Sequence, residues 1–145
     1  MRGLIQRVSY ARVIVDGEVV GEIGRGLLLF LGVQKGDTSQ KIDKLLNKSI
    51  TYRIFPDASG HMNLGLADVQ GGLLIVSQFT LAADTQKGLR PSFSAAMPPA
   101  DAEILYDDFV VRAKARCPVV ATGIFGADMK VQLENDGPAT FMLES

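Results

Sequence analysis

The run Leu27-Leu28-Leu29-Phe30-Leu31-Gly32-Val33 carries no polar side chain at any position. Successive side chains of a strand point to opposite faces of the sheet. A strand of this composition must therefore be covered on both sides, as the central strands of layered α/β domains are. Leu73-Leu74-Ile75-Val76, within the segment Gly72 to Leu81, is a second run of this kind. Between them lies a segment of different period. Ile42, Leu45, Leu46 and Ile50 form one stripe at helical spacing. Asp37 is a good N-cap, and Gln40 stands three residues later as in a capping box. The helix is expected from about Thr38 to about Tyr52, before Phe55-Pro56 ends the pattern.

The rest of the chain supplies more strands and one more helix. Leu4 to Val15 is rich in Ile and Val and reads as a strand. Asp16-Gly17 is a turn signal, and Glu18 to Ile23 its returning partner. Asp57 to His61 reads as a turn and residues 84–99 as a loop. Pro98-Pro99 suits a helix start. Ala102, Leu105, Phe109 and Ala113 give that helix its apolar stripe, and Cys117-Pro118 stops it. Val119 to Ile124, Lys130 to Glu134 and Thr140 to Leu143 are expected as closing strands, with Asn135-Asp136-Gly137-Pro138 as a tight turn. The order β-β-β-α-β-α-β-β-β predicts an α/β or α+β domain with two helices on a mixed sheet. A chain of 145 residues suits one domain spanning 1–145. It can bury roughly 68–70 % of the surface exposed by its unfolded form. With 47 % hydrophobic and 21 % charged residues, the composition is that of a folded domain.

Charge and cysteine usage narrow the function. Fifteen basic against sixteen acidic residues give a net charge of −1. That disfavours a protein that grips long duplexes through many phosphates, but leaves contact with a nucleic-acid end open. The charge is uneven. Residues 1–56 carry nine basic and five acidic residues, and residues 57–145 six and eleven. One cysteine, Cys117, and one histidine, His61, cannot build a Cys/His zinc site within one chain. No apolar run reaches membrane-spanning length, and the charged start lacks a signal-peptide core. The expectation is a cytoplasmic protein without metal or other cofactor.

The familiar catalytic kits are missing. A Ser-His-Asp or Cys-His nucleophile needs a histidine beside it, and His61 sits in a turn-like Gly-His-Met-Asn context. Gly21-x-x-Gly24-x-Gly26 has the wrong order for a dinucleotide fingerprint, and no Walker-type Gly-Lys-Ser/Thr is present. Asp107 and Asp108 are helix neighbours that point apart. Two stretches remain. In Ser77-Gln78-Phe79-Thr80-Leu81, hydrogen-bonding side chains follow an apolar run inside one apparent strand. A strand leaving the core explains them on pattern alone; a site is the alternative. In Asn135-Asp136-Gly137-Pro138, uncluttered Gly and Pro could present backbone oxygens as a rigid acceptor pair, a hairpin turn being the alternative.

With these stretches, Ile5-Gln6-Arg7-Val8, Arg53-Ile54-Phe55, Met62-Asn63-Leu64, Arg90-Pro91-Ser92-Phe93, Thr122-Gly123-x-Phe125-Gly126-Ala127-x-Met129 and Asn135-x-Gly137-Pro138-x-Thr140 stand in an order that resembles the D-aminoacyl-tRNA deacylases, also called D-tyrosyl-tRNA deacylases. The resemblance runs over essentially the whole chain. Ala139 stands where the family often has valine, which leaves the Gly-Pro pair intact.

The resemblance implies a three-layer β/β/α subunit, a homodimer and an active site at the subunit interface. The substrate would be the 3′ end of aminoacyl-tRNA. The ester between a D-amino acid and the terminal adenosine would be hydrolysed. Gly137 and Pro138, joined by a cis bond, would reach into the partner's site and reject L-residues by contact, while glycyl esters would pass. Ser77, Gln78, Phe79 and Thr80 would form the strand-end site. Arg7 would anchor the Gly-Pro segment, or else be an exposed strand arginine. Phe125 and Met129 would line the adenine pocket, or else pack in the core. Thr80 would position rather than attack, and the ribose 2′-hydroxyl would assist. A non-catalytic RNA-end binding module, an editing domain for mischarged L-aminoacyl-tRNA and a conventional esterase are the rival readings.

Overall fold

A computed structural model describes residues 1–145. Its sheet is built around one long strand, β1 (Arg2–Val15). Along one edge β1 pairs antiparallel first with β3 (Gly26–Gly32) and then with β2 (Glu18–Ile23). The other edge pairs with β8 (Lys130–Glu144). β3 pairs parallel with β6 (Gly72–Ser77), and β6 parallel with β7 (Val120–Thr122). The two parallel pairings make the sheet mixed, as expected. A small separate hairpin, β4 (Phe55–Pro56) and β5 (Met62–Leu64), lies where only a turn is expected.

The apolar strands divide their side chains between two cores. Leu27, Leu29 and Leu31 face one side, and Leu28 and Phe30 the other. Leu73 and Ile75 again face the first, Leu74 and Val76 the second. The first core is closed by helix α1 (Ser39–Thr51) through Ile42, Leu45, Leu46 and Ile50. It is also closed by α2 (Pro99–Arg116), through Ala102, Tyr106, Phe109, Val110 and Ala113. Leu105, expected in that stripe, is only half-buried; Tyr106 and Val110 complete it. The second core is covered by the sheet's own curl. Ile23, Ala121, Val131 and Leu133 pack over Val8, Val13 and Leu28. Helices cover one face of the sheet, and returning strands the other.

Three local expectations are corrected. Asp37 is not the cap of α1; Thr38 holds that position and makes no side-chain cap bond. The Asp37 carboxylate instead takes the Met1 ammonium at 2.7 Å and the Gln34 amide at 2.6 Å. A buried ammonium needs a counter-charge more than a helix end needs a cap. Second, Ser77 to Leu81 is not one strand: β6 ends at Ser77, and Phe79–Ala82 is a 3₁₀ turn. Third, the two last expected strands are one, because the Asn-Asp-Gly-Pro segment is not a hairpin turn. It is a bulge within β8. Gln6 pairs with Thr140 and Val8 with Asn135, so two steps along β1 face five along β8. Bulges of this sort re-aim a short segment while the ladder continues on either side.

Candidate active site

The residue of β1 opposite the bulge is Arg7. Its side chain runs inward and is buried. Nε donates to the Asp136 carbonyl at 2.8 Å and Nη1 to the Ile54 carbonyl at 2.6 Å. Asn135 braces the bulge from its other side. Its Oδ1 accepts from the Ala139 amide at 2.8 Å, and its Nδ2 donates to the Thr140 hydroxyl at 2.8 Å. Between these braces the Gly137-Pro138 peptide is cis, and both residues are exposed. Gly137 has φ +140, a region that side-chain-bearing residues rarely adopt. A Cβ there would stand 2.7 Å from Arg7 Nη2. The pair is thus held from beneath by a charged fork and presented outward. The exposed-arginine reading of Arg7 does not hold; nothing in the sequence marks Asn135 as a brace except its place at the start of a turn-like run.

The other candidates gather elsewhere. A cavity of about 710 Å³ opens beside the end of β6. Ser77, Gln78 and Phe79 line one wall, and Phe125 and Met129 another. Tyr106 and Met97 contribute from the helical side. Thr80 stands exposed just past this wall, and its hydroxyl accepts a hydrogen bond from the Gln78 side-chain amide. The amides of Phe79 and Thr80 open the 3₁₀ turn, where N–H groups have no partner inside a helix, and neither donates to a carbonyl in another part of the chain. Phe79 is 62 % exposed and stacks at a tilt on Phe93, with ring centroids 5.1 Å apart.

Phe125 and Met129 face the cavity and also pack against the core. Phe125 leans on Tyr106, centroids 5.6 Å apart. The Tyr106 hydroxyl donates to the Ile75 carbonyl at 2.9 Å, two residues before Ser77. Burial, reinforced by the nearby Asp107 carboxylate, pushes that phenol up to about 12. Tyr106 therefore stays neutral and fixes the strand end. The stripe expected for α2 names Leu105 and not Tyr106, although Tyr106 stands four residues after Ala102 and three before Phe109, on the same buried face.

The structure brings Ser77, Gln78, Phe79, Phe125 and Met129 around one cavity. It does not bring Arg7, Gly137 or Pro138 to that cavity within this chain. Cys117 lies at a different, smaller hollow of about 330 Å³ beside Arg116 and Pro118. Burial pushes its thiol up, against the pull of the Arg116 guanidinium, so it is a poor nucleophile at neutral pH. No group of three or more His, Cys, Asp or Glu side chains is placed to hold a metal ion. No helix is long and apolar enough to cross a membrane.

Known proteins share the sequence and the fold of this chain over essentially its whole length. The family described as D-Tyr-tRNA(Tyr) deacylase matches residues 4–144. The D-aminoacyl-tRNA deacylase of Cellvibrio japonicus (strain Ueda107) is 62 % identical over 144 residues, 99 % of either chain. That of Stutzerimonas stutzeri (strain A1501) is 59 % identical over 145 residues, the full length of both. Among solved structures, one described as c-Myc DNA Unwinding Element Binding Protein superposes with a TM-score of 0.96 at 40 % identity, covering 100 % of this chain and 99 % of its own. A probable eukaryotic D-amino acid tRNA deacylase shares the fold, with a TM-score of 0.81 at 18 % identity and coverage of 99 % of this chain and 98 % of its own. By its matched length and by these relatives, the chain belongs to the D-Tyr-tRNA(Tyr) deacylase family.

Proposed function

We propose that this protein is a D-aminoacyl-tRNA deacylase, a hydrolase of the ester between a D-amino acid and the 3′-terminal adenosine of tRNA. The observation that carries the mechanism is the separation of two rigid parts. Gly137 and Pro138 are exposed on a braced bulge, while the cavity walled by Ser77, Gln78 and Phe79 lies apart from them. A second copy of the chain would join the parts, each subunit's Gly-Pro pair entering the other's cavity. The working form is then a homodimer with a cross-subunit site, acting on charged tRNA in the cytoplasm.

In that site the terminal adenosine occupies the cavity against Phe125 and Met129. The ester carbonyl oxygen takes hydrogen bonds from the amides at Phe79 and Thr80. One such donor is typically worth roughly 3–4 kcal/mol in the transition state. The Gly137 and Pro138 carbonyls face the chiral centre. A D-residue places its side chain away from them, and an L-residue drives its side chain into backbone that cannot yield. Glycine has no side chain to reject, so glycyl-tRNA is a substrate too. The attacking water is aligned by the ribose 2′-hydroxyl, and alignment of this kind can supply up to about 7–11 kcal/mol. A backbone filter requires neither histidine nor cysteine, in keeping with the position of His61 in an exposed turn.

The test is hydrolysis of D-tyrosyl-tRNA and L-tyrosyl-tRNA charged on the same tRNA. Rapid release of the D-form alone is expected. Equal release of both would remove the chiral role of Gly137-Pro138, and release of neither would make the protein an RNA-end binding module. Sedimentation at micromolar concentration tests the dimer; a monomer there that still hydrolyses D-tyrosyl-tRNA would overturn the shared site.

A further inference from the structure

Lys35, Lys87 and Arg90 stand on two segments that reach the cavity, and none of the three is in an ion pair. Lys35 is on the cavity wall. Its backbone amide donates to the Ala95 carbonyl at 2.9 Å, and Gln34 bridges Ala96, so the segment after β3 is stitched to the segment ahead of α2. That second segment begins as a closed loop. Asp84 and Ser92 exchange two backbone hydrogen bonds of 2.8 and 2.9 Å, and the residues they enclose form an exposed tip. The tip, Thr85 to Pro91, carries Lys87 and Arg90 and no acidic residue. Phe93, just beyond it, lines the cavity and stacks on Phe79.

Elsewhere the chain pairs many of its charges. Arg2, Arg7, Arg12, Lys41, Arg112 and Lys130 stand in ion pairs; Lys35, Lys87 and Arg90 stand in none, like Arg25, Lys44, Lys48, Arg53, Lys114 and Arg116, but they alone of the unpaired cations lie on the two segments that reach the cavity. The acids near the rim are otherwise occupied: Asp37, two residues from Lys35, takes the Met1 ammonium and the Gln34 amide, and Asp128 on the cavity wall and Asp84 at the loop base have partners too. Asp128 pairs with Lys130 at 3.4 Å, and Asp84 accepts from the Gln86 amide at 2.9 Å.

We infer that Lys35, Lys87 and Arg90 form the phosphate-binding rim of the site, taking the backbone of the nucleotides that precede the terminal adenosine. The inference rests on the deacylase reading. If the terminal nucleoside lies in the cavity, the chain behind it must leave through the mouth, beside Lys35 on the wall and the loop that carries Lys87 and Arg90 down to Phe93. A tip of two cations on a loop closed by backbone bonds can follow a single strand without reading its sequence. It also reconciles a net charge of −1 with an RNA substrate: the positive charge is local.

The experiment compares wild type with the triple variant Lys35→Ala/Lys87→Ala/Arg90→Ala on D-tyrosyl-tRNA over a range of salt. A second triple variant, Lys44→Ala/Lys48→Ala/Lys114→Ala, removes the same charge from exposed, unpaired positions on the two helices. Each phosphate contact on a single strand contributes about 0.7 to the slope of log kcat/KM against log salt. The rim variant is expected to flatten that slope by about 2, with the loss in KM, and the helix variant to keep the wild-type slope. An active wild type with equal slopes in all three proteins overturns the rim alone. Equal flattening in both variants overturns it as well, since net charge would then explain the effect. A wild type that leaves D-tyrosyl-tRNA intact overturns the deacylase reading, and the rim with it.

Discussion

The Arg7 guanidinium sits 2.8 Å from the Asp136 carbonyl oxygen through Nε, and its Nη2 is 2.7 Å from where a Gly137 Cβ would stand. One side chain therefore both fixes the bulge and fills the space beneath its glycine. The Asp136 carboxylate adds a longer contact at 3.7 Å, but half of that side chain is in solvent, and the carbonyl bonds matter more.

Arg7→Lys tests this relationship. A lysine has the charge but not the fork that reaches Asp136 and Ile54 at once. Hydrogen bonds to charged groups are worth about 1.5–3 kcal/mol each, so losing one of the two lowers stability by about that much. Urea unfolding measures it. On the proposed mechanism the same variant narrows the ratio of D- to L-tyrosyl-tRNA hydrolysis. An unchanged ratio in a destabilised protein would leave Arg7 a purely structural residue.

Gly26→Ala tests the closest approach of strands in the sheet. Gly26 pairs with Gly72 in the parallel ladder, and a Cβ at 26 would lie 1.9 Å from the Gly72 carbonyl oxygen. Backbone cannot move aside as a side chain can, so the cost is at the upper end of overpacking, about 3 kcal/mol. Gly24→Ala, with nothing within 4 Å of its Cβ, is the control. It should match wild type or gain up to about 1 kcal/mol from a less flexible unfolded chain. Equal melting of the two variants would contradict the strand pairing.

The apolar runs made the sheet legible, because a strand with no polar side chain has only one place to go. The stripe of α1 was legible for the same reason. What escaped was whatever depends on partners distant in sequence. Asp37 looks like a cap until the Met1 ammonium is found beside it. Asn-Asp-Gly-Pro looks like a hairpin turn until β1 is seen to run past it unbroken. Local turn chemistry says that the chain bends, not whether the strand resumes afterwards. At the site, Ser77, Gln78 and Thr80 stood out as polar residues ending an apolar run, and the family resemblance marked them and Phe79 further. Tyr106 and Lys35 gave no such signal: one is an ordinary helix residue, the other a lone lysine in a loop.

Tyr106 makes a prediction in alkali. Its folded value of about 12 lies above the unfolded 10.0, and the charged form is the one that the fold disfavours. The native state therefore keeps its proton where the unfolded state has lost it. This contribution is constant below pH 10 and falls as pH rises from 10 toward 12, by at most about 3 kcal/mol at 1.36 kcal/mol per unit. Tyr106→Phe removes this alkaline loss. It also removes one of the two donors to the Ile75 carbonyl, which keeps the Gly123 amide at 3.3 Å, so the variant begins less stable at neutral pH by about 0.5–1.5 kcal/mol. Unfolding free energies at neutral and alkaline pH decide the matter: parallel curves for wild type and variant would show that the phenol titrates normally.

Thr80 decides whether the site uses a protein nucleophile. Its hydroxyl oxygen accepts a proton-bearing amide from Gln78, which is a donor and no base. Deprotonating a threonine hydroxyl requires a base within hydrogen-bond reach. His61 stands in the turn before β5, and the Cys117 thiol lies at the other hollow. Thr80→Ala is accordingly expected to keep kcat on D-tyrosyl-tRNA within about tenfold of wild type, roughly 1.4 kcal/mol. Thr80→Ser should recover most of that loss, because the hydroxyl can still accept from Gln78. Gln78→Ala should resemble Thr80→Ala, since the two side chains hold each other. A drop beyond about a thousandfold in Thr80→Ala, with tRNA binding and folding intact, would require the hydroxyl to form a covalent ester. A burst of tRNA release ahead of amino-acid release in the wild type would then be its signature.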